Sequence, residues 1–339
     1  MSMREFIGKC LAGDSLTTDE AASALDLIMT NQASDAQIAG FLVALCAKGE
    51  TVDEIVGFAQ TMRQHSVKIR AADSDAIDMC GTGGDGLGTF NISTVATFVA
   101  AGAGVTVAKH GNRGASSPSG SADVLEALGV KVQLPPEKVE NCLNTVGVGF
   151  LFAPLFHPAM KSVSKVRTEL RVRTIFNILG PITNPAGVKR QLIGTYSRSV
   201  ASGLAEALAH LDTHRACVVH SDDGMDEVSL SCNTAVFDVN GDRSVRSYVV
   251  SAEQFGLRNL NGASLKGGTS TENAATALRI LNGEQSPQRE VVIANAAFGI
   301  HISGKAATLE QGARMAEESI DSKRALHVLE HLVEFTNRP

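Results

Sequence analysis

The stretch Ile77-Asp78-Met79-Cys80-Gly81-Thr82-Gly83-Gly84-Asp85-Gly86 reads as a short apolar strand running into a glycine-rich loop. A helix then opens near Asn91-Ile92-Ser93-Thr94. Glycines let backbone N–H groups approach an anion closely, and the helix N-terminus adds the positive end of its dipole. The loop is therefore expected to cradle phosphate at the carboxyl end of a strand in an α/β sheet. Gly81, Gly83 and Gly86 also satisfy Gly-x-Gly-x-x-Gly, which in dinucleotide sites precedes a ribose-binding acid by about 20 residues. No Asp or Glu occurs between Asp85 and Asp123, so a nicotinamide site is not expected. Nor does a Gly-Lys-Ser/Thr sequence close the loop as a nucleoside triphosphate loop requires.

A second strand, Val105–Ala108, leads into Lys109-His110-Gly111-Asn112-Arg113 and a Gly- and Ser-rich loop that ends at Ser121. In a doubly wound sheet the two strand ends lie side by side, so together they would hold a ligand with more than one phosphate. Further candidate strands are Val130–Val132, Leu192–Thr195, Cys217–His220, Ala235–Asp238 and Val291–Asn295. Ala- and Leu-rich helices such as Thr94–Ala103, Ala122–Leu128 and Ala201–Leu211 alternate with them. That alternation implies a mostly parallel sheet with helices on both faces.

The chain before Ile77 is different. Ser34 with Gln37 and Thr51 with Glu54 form capping boxes, and Thr17 or Thr18 with Asp19 and Glu20 opens an earlier helix. After Ser34 the residues Ile38, Phe41, Leu42 and Leu45 follow helical spacing until Gly49. The expected architecture is α/β: a small N-terminal helical domain, residues 1–70, and a larger α/β domain, 71–339, with a mostly parallel central sheet. The polar stretch His65–Asp75 is expected to be the hinge between them.

Composition narrows the chemistry. The 339 residues are 44% hydrophobic and 19% charged, enough for a packed core. A net charge of −6 argues against a general nucleic-acid or anionic-membrane binder. No signal-peptide pattern and no apolar run of about 20 residues is present, so a soluble cytoplasmic protein is expected. Six scattered cysteines lack any CxxC pair and read as buried thiols in a reducing compartment. The pairs His210/His214 and His327/His331 lack a third ligand nearby and are read as structural.

The runs Gly81–Asp85, Asn91–Thr94 and Lys109–Arg113 resemble those of the anthranilate phosphoribosyltransferases of tryptophan biosynthesis. Arg167, the run Arg173-Thr174-Ile175-Phe176-Asn177-Ile178-Leu179-Gly180-Pro181 and Asp226-Glu227 extend the likeness over essentially the whole chain. Thr168, Arg171 and Ser221 depart from the pattern, standing where Arg, Gly and Gly are usual. The resemblance implies transfer of the phosphoribosyl group of 5-phosphoribosyl 1-diphosphate to the amine of anthranilate, with Mg²⁺, two ions per subunit. The helical domain is expected to borrow chain from about 165–190, and because it is too small to hide its apolar faces alone, a homodimer through it is expected.

The resemblance implies the site residues too. Phosphoribosyl diphosphate would be held by Gly81, Gly84, Asp85, Thr89, Asn91, Ile92, Ser93, Thr94, Lys109, His110, Gly111, Asn112, Arg113, Gly114, Ala115, Ser116, Ser117 and Ser121. Anthranilate would meet Gly81, Asn112 and Arg167, with His110, Pro154 and His157 along its approach. Metal would take Ser93, Asp226 and Glu227. Lys109, Asp85 and His110 are the catalytic candidates, Lys109 on the departing diphosphate and His110 as a candidate base. The residue types agree with these roles: charge builds on a departing diphosphate, Mg²⁺ takes oxygen ligands, and Arg matches a carboxylate. Two adjacent acids on a regular strand would face opposite ways, so Asp226-Glu227 is expected on a loop or strand end. A pyrimidine nucleoside phosphorylase-like enzyme and a nucleic-acid-binding relative are the alternatives. The Asn112-Arg113 continuation and the Asp226-Glu227 pair oppose the first, and the net charge opposes the second.

Overall fold

Residues 1–114, 118–260 and 264–338 are described by the computed structural model of the chain. Four helices come first: α1 (Met3–Leu11), α2 (Thr18–Met29), α3 (Asp35–Lys48) and α4 (Val52–Gln64). The hydroxyls of Thr17, Ser34 and Thr51 accept from the N–H groups of Glu20, Gln37 and Glu54, so the two expected capping boxes start α3 and α4 and a third, at Thr17, starts α2. Gly49 ends α3 with a φ of +86°, which glycine tolerates best.

The α/β layer begins with β1 (Ile77–Gly81), α5 (Ile92–Gly102), β2 (Val107–Gly111), α6 (Ser121–Ala127), α7 (Pro136–Val146) and β3 (Val148–Phe152). An excursion through α8 (Ala153–Phe156), α9 (Lys161–Leu170) and α10 (Phe176–Leu179) leads to β4 (Arg190–Gly194) and α11 (Arg198–Ala209). Then come β5 (Arg215–Ser221), β6 (Thr234–Asn240) and β7 (Val245–Val250). The chain closes with α12 (Ser270–Leu281), α13 (Pro287–Ile302), α14 (Leu309–Asp321) and α15 (Arg324–Asn337).

The strands form one sheet in the order β3-β2-β1-β4-β5-β6-β7. The first five are mutually parallel and the last two antiparallel, a mostly parallel sheet. From β1 the chain steps outward to β2 and β3, then returns to β4 on the other side, so the topological switch lies between β1 and β4. Ligands in such sheets bind beyond the carboxyl ends at that point. Val163, Val166, Ile175, Phe176 and Leu179 of the excursion share the core of the four-helix bundle, which continues onto α11 and the sheet residues Ile193 and Val218.

Two expected strands are corrected. Val291–Asn295 lies inside α13, which Ser286 caps and Pro287 opens. This helix is apolar nearly all round because it is buried between α5 and α14, so its β-branched run does not mark a strand. Val130–Val132 is irregular chain. Val130 and Val132 are buried, while Lys131 N–H donates to Thr336 Oγ1 on α15 (3.2 Å) instead of to a strand. The place beside β2 is taken by β3, which with β7 was not expected. Residues 67–75 are tied to the α/β layer: Val67 N–H donates to Phe156 O, Ala72 N–H to Asn144 Oδ1, and Asp75 pairs with Arg190. No described helix is long and apolar enough to cross a membrane.

Candidate active site

β1 and β4 end in glycines that face each other in register, Gly81 and Gly194. A Cβ at Gly194 would lie 1.6 Å from the Asp226 carbonyl oxygen, and one at Gly81 would lie 2.8 Å from Asp226 Oδ2. The missing side chains let the loop after β5 lean across the switch point. Asp226 and Glu227 lie on that loop, outside any strand, in line with their adjacency. Asp226 Oδ2 accepts from the Gly83 N–H at 2.8 Å, and Glu227 Oε1 accepts from the Ser93 N–H at 3.0 Å. Ser221, which replaces the usual Gly, is buried and donates to the Glu227 carbonyl at 2.6 Å while accepting from Ser229 N–H at 3.1 Å. The substitution therefore adds a peg to this loop.

Burial pushes both carboxyls well above the usual carboxylate range, and the negative charges of Asp85 on Asp226 and of Asp226 on Glu227 push further. Asp85 Oδ2 is buried with no hydrogen-bond partner. A set of oxygen donors short of positive charge is the chemistry that suits Mg²⁺, so Asp226, Glu227 and the Ser93 hydroxyl fit the ion. Among the described residues no three His, Cys, Asp or Glu side chains gather into a closed metal site. Mg²⁺ commonly completes its shell with water and phosphate oxygens.

The glycine loop bends through left-handed residues, Gly83 at φ +67° and Gly84 at +81°, where a side chain would be strained. Arg173 donates to the Gly84 carbonyl, and its guanidinium lies 4.1 Å from the ring centre of Tyr196. Thr89 forms a bridge with Lys266. Asn91 stands at the N-cap position of α5, but its side chain makes no capping bond and donates instead to the Ser119 carbonyl (3.1 Å). The side chains of Ile92 and Thr94 are buried, so they offer a ligand little beyond backbone.

At the end of β2, Lys109 is only 3% exposed and donates to Met79 O (2.6 Å) and Ser93 Oγ (3.4 Å). Burial lowers its pKa, while Asp78, Cys80 and Glu227 oppose that shift. Asp78 is buried, accepts from His110 N–H (3.2 Å) and Asn184 Nδ2 (2.8 Å), and is raised to about 6 by desolvation. The Gly180 carbonyl can only accept, so His110 Nδ1 carries the proton across their 3.1 Å contact. Its Nε2 is then a bare lone pair, buried without a partner. Burial lowers His110 to about 3 and the neighbouring His157 to about 4, so both rings are neutral; their centres are 5.1 Å apart.

The next turn is closed tightly. A Cβ at Gly111 would strike Ser121 Oγ, which donates to the Asn112 carbonyl at 3.2 Å. Gly114 N–H donates to Asp123 Oδ2 at 2.9 Å. The Arg113 guanidinium is engaged by Asp123 and Glu126 and lies over Phe152, so it ties α6 to the loop. Ala115, Ser116 and Ser117 lie outside the described residues.

Arg167 projects from α9, half-buried, with its guanidinium 5.5 Å from the Phe176 ring centre. Burial lowers its pKa, and it makes no ion pair among the described residues. The same excursion delivers Arg173 to Gly84, Gly180 to His110 and Asn184 to Asp78, so it borders both strand ends. Sequence reasoning did not assign Gly194, Asn184, Arg173 or Asn273 to the site. An acid set in an apolar strand, Asp78, was the available clue to Asn184. Nothing in the sequence connects Asn273 to Asn91, although their amides meet at 2.9 Å.

Two family descriptions match in tandem: "Glycosyl transferase family, helical bundle domain" over residues 4–66 and "Glycosyl transferase family, a/b domain" over residues 73–326. The anthranilate phosphoribosyltransferase of Pelotomaculum thermopropionicum is 52% identical over 335 residues, 98% of this chain and 96% of that one. The crystal structure of anthranilate phosphoribosyltransferase (TrpD) from Thermus thermophilus matches with a TM-score of 0.92 at 42% identity, covering 98% of this chain and 99% of that one. The Saccharomyces cerevisiae anthranilate phosphoribosyltransferase in complex with PRPP and Mg matches with a TM-score of 0.89 at 28% identity, over 98% and 97% of the two chains.

Proposed function

The chain belongs to the anthranilate phosphoribosyltransferase family, and we propose that its switch-point crevice holds 5-phosphoribosyl 1-diphosphate and anthranilate through the residues just described. The reaction gives N-(5-phosphoribosyl)anthranilate and diphosphate, the second step of tryptophan biosynthesis from chorismate. The bond from ribose C1 to the diphosphate oxygen breaks, the amine nitrogen bonds to C1, and that nitrogen gives up one proton. The observation that carries the assignment of the acceptor is Arg167, a half-buried guanidinium with no carboxylate partner among the described residues.

The backbone of the Gly81–Asp85 loop and the start of α5 receive the diphosphate. Lys109 supports it from beneath, holding Ser93 and supplying positive charge where negative charge accumulates. Mg²⁺, which the yeast relative binds, supplies Lewis-acid screening of the diphosphate charge. We assign it to Ser93, Asp226 and Glu227, with two ions per subunit. His110 Nε2 accepts the proton once the C–N bond has formed, because an N-ribosylated anilinium is acidic enough for a weak base. Exposed Leu11 and Val43, on the packed helices α1 and α3, support a homodimer through the bundle, and six scattered cysteines without a CxxC pair support a reducing, cytoplasmic setting.

The test removes the two halves of one contact. Losing one partner of a desolvated charge pair typically costs about 2–5 kcal/mol. Arg167→Ala should raise the KM for anthranilate at least tens-fold and leave that for phosphoribosyl diphosphate nearly unchanged. Aniline, without the carboxylate, should be a poor substrate for the parent and lose little more in the variant. Additive penalties would overturn the pairing.

A further inference from the structure

We propose that Asn273, on the first turns of α12, is a positioning residue for the diphosphate site and acts by fixing the orientation of the Asn91 amide. This rests on the reading above that Asn91 faces phosphoribosyl diphosphate. Asn273 stands 182 residues from Asn91 in the chain and is 4% exposed.

The polarity of the contact is set from both ends. Gly268 N–H can only donate, and it points at Asn273 Oδ1 (2.8 Å). That leaves Asn273 Nδ2 facing Asn91, so it donates to Asn91 Oδ1 at 2.9 Å. Asn91 Nδ2 must then turn toward the Ser119 carbonyl, which can only accept (3.1 Å). A backbone donor at one end and a backbone acceptor at the other allow one orientation of both amides, where side-chain amides alone would leave it open. The second amide hydrogen of Asn91 is left with a fixed direction.

The backbone around this relay is equally close. Phe90 N–H donates to Leu265 O, and Gly267 N–H to Gly88 O. A Cβ at Gly267 would lie 2.7 Å from Phe90 Cα. The segment from Leu265 to Asn273 thus backs the whole approach to α5, and Asn273 is the point where it reaches a side chain of the site.

The experiment compares Asn273→Ala, Asn273→Asp, Asn91→Ala and the double alanine variant, by steady-state kinetics and by calorimetry with phosphoribosyl diphosphate and Mg²⁺. Loss of one buried hydrogen bond corresponds to about a tenfold effect. Asn273→Ala should therefore raise the KM and Kd for phosphoribosyl diphosphate about tenfold and leave the anthranilate KM unchanged. Asn273→Asp keeps the size and the acceptor for Gly268, but turns the Asn91 amide so that its oxygen opposes the Ser119 carbonyl. It should be the more damaging change, and it serves if the alanine variant does not fold. The double variant should be no worse than Asn91→Ala alone. An unchanged diphosphate KM in folded Asn273 variants, equal losses for both substrates, or additive penalties would overturn the inference while the transfer activity stands. A parent that does not bind phosphoribosyl diphosphate would overturn the functional reading, and this inference with it.

Discussion

Lys109 and Asp78, two buried groups that act on each other through charge without a direct hydrogen bond, tie the site to the stability of the sheet. Burial raises the folded pKa of Asp78 to about 6 from an ordinary 3.8, while Lys109, Asn184 and the His110 N–H restrain it. A carboxyl raised on folding binds its proton more tightly in the native state, so its contribution to stability is greatest below about pH 4 and declines as pH rises toward 6. Removing Lys109 lifts Asp78 further and extends that decline to neutral pH. Lys109→Met should therefore lower Tm more at pH 8 than at pH 5, with a loss on the order of 3 kcal/mol at the higher pH. Adding Asp78→Asn should shrink the pH dependence of the gap to the part that Glu227, which also faces Lys109, contributes, and a gap equal at both pH values in Lys109→Met would contradict the account. At this scale Gly81–Asp85 and Lys109-His110 were legible in isolation as an anion cradle beside a basic loop, whereas Asp226-Glu227 was picked out only by the family resemblance. Gly194 and Asn273 were not legible, since each is defined by a residue far away in the chain, Asp226 where a side chain on Gly194 would go and Asn91 at 2.9 Å from Asn273, that meets it only after folding.

The helices of the bundle and the strands of the sheet differ in how openly they declare themselves. Two capping boxes, a threonine followed by acids and one terminal glycine marked α2, α3 and α4, because caps are local chemistry. One of them reaches beyond local chemistry. Glu54 is fully buried, accepts from Leu16 N–H and Thr51 N–H, and pairs with buried Lys48 at 2.9 Å. Glu54→Ala leaves that ammonium buried and unpaired and should cost about 3–5 kcal/mol in urea unfolding followed by circular dichroism. A loss below about 1 kcal/mol would show that the pair is screened by solvent. Strands depend on what packs around them: Val291–Asn295 has a strand's composition yet sits in a helix buried on every side, and β7 pairs along an edge whose residues are mostly exposed. Arg171, in the place of a usual Gly, ends α9 at φ +51°, a left-handed conformation that suits glycine better. Arg171→Gly should raise stability by up to about 1 kcal/mol; a lower Tm would show that the arginine makes a compensating contact.

For the whole molecule, the sheet supplies a switch point and the excursion from β3 to β4 borders it through Arg173, Gly180 and Asn184, while the same excursion completes the core of the bundle. The bundle needs borrowed residues for its core and exposes Leu11 at 73% and Val43 at 47% on its neighbouring helices α1 and α3, the place where a second copy would bury them. Sedimentation at micromolar protein should give twice the 35.5 kDa chain mass, and Leu11→Lys with Val43→Lys should give the single mass. The central claim is that two substrates meet over β1 and β4 and react there. Its most direct test is the fluorescence of anthranilate, followed on adding phosphoribosyl diphosphate with and without Mg²⁺, to the parent and to Asp226→Asn/Glu227→Gln. The account predicts rapid loss of fluorescence in the parent only when the diphosphate and Mg²⁺ are both present, and little or none in the double variant. Persistent fluorescence in the parent, with phosphorolysis of a pyrimidine nucleoside in its place, would contradict it.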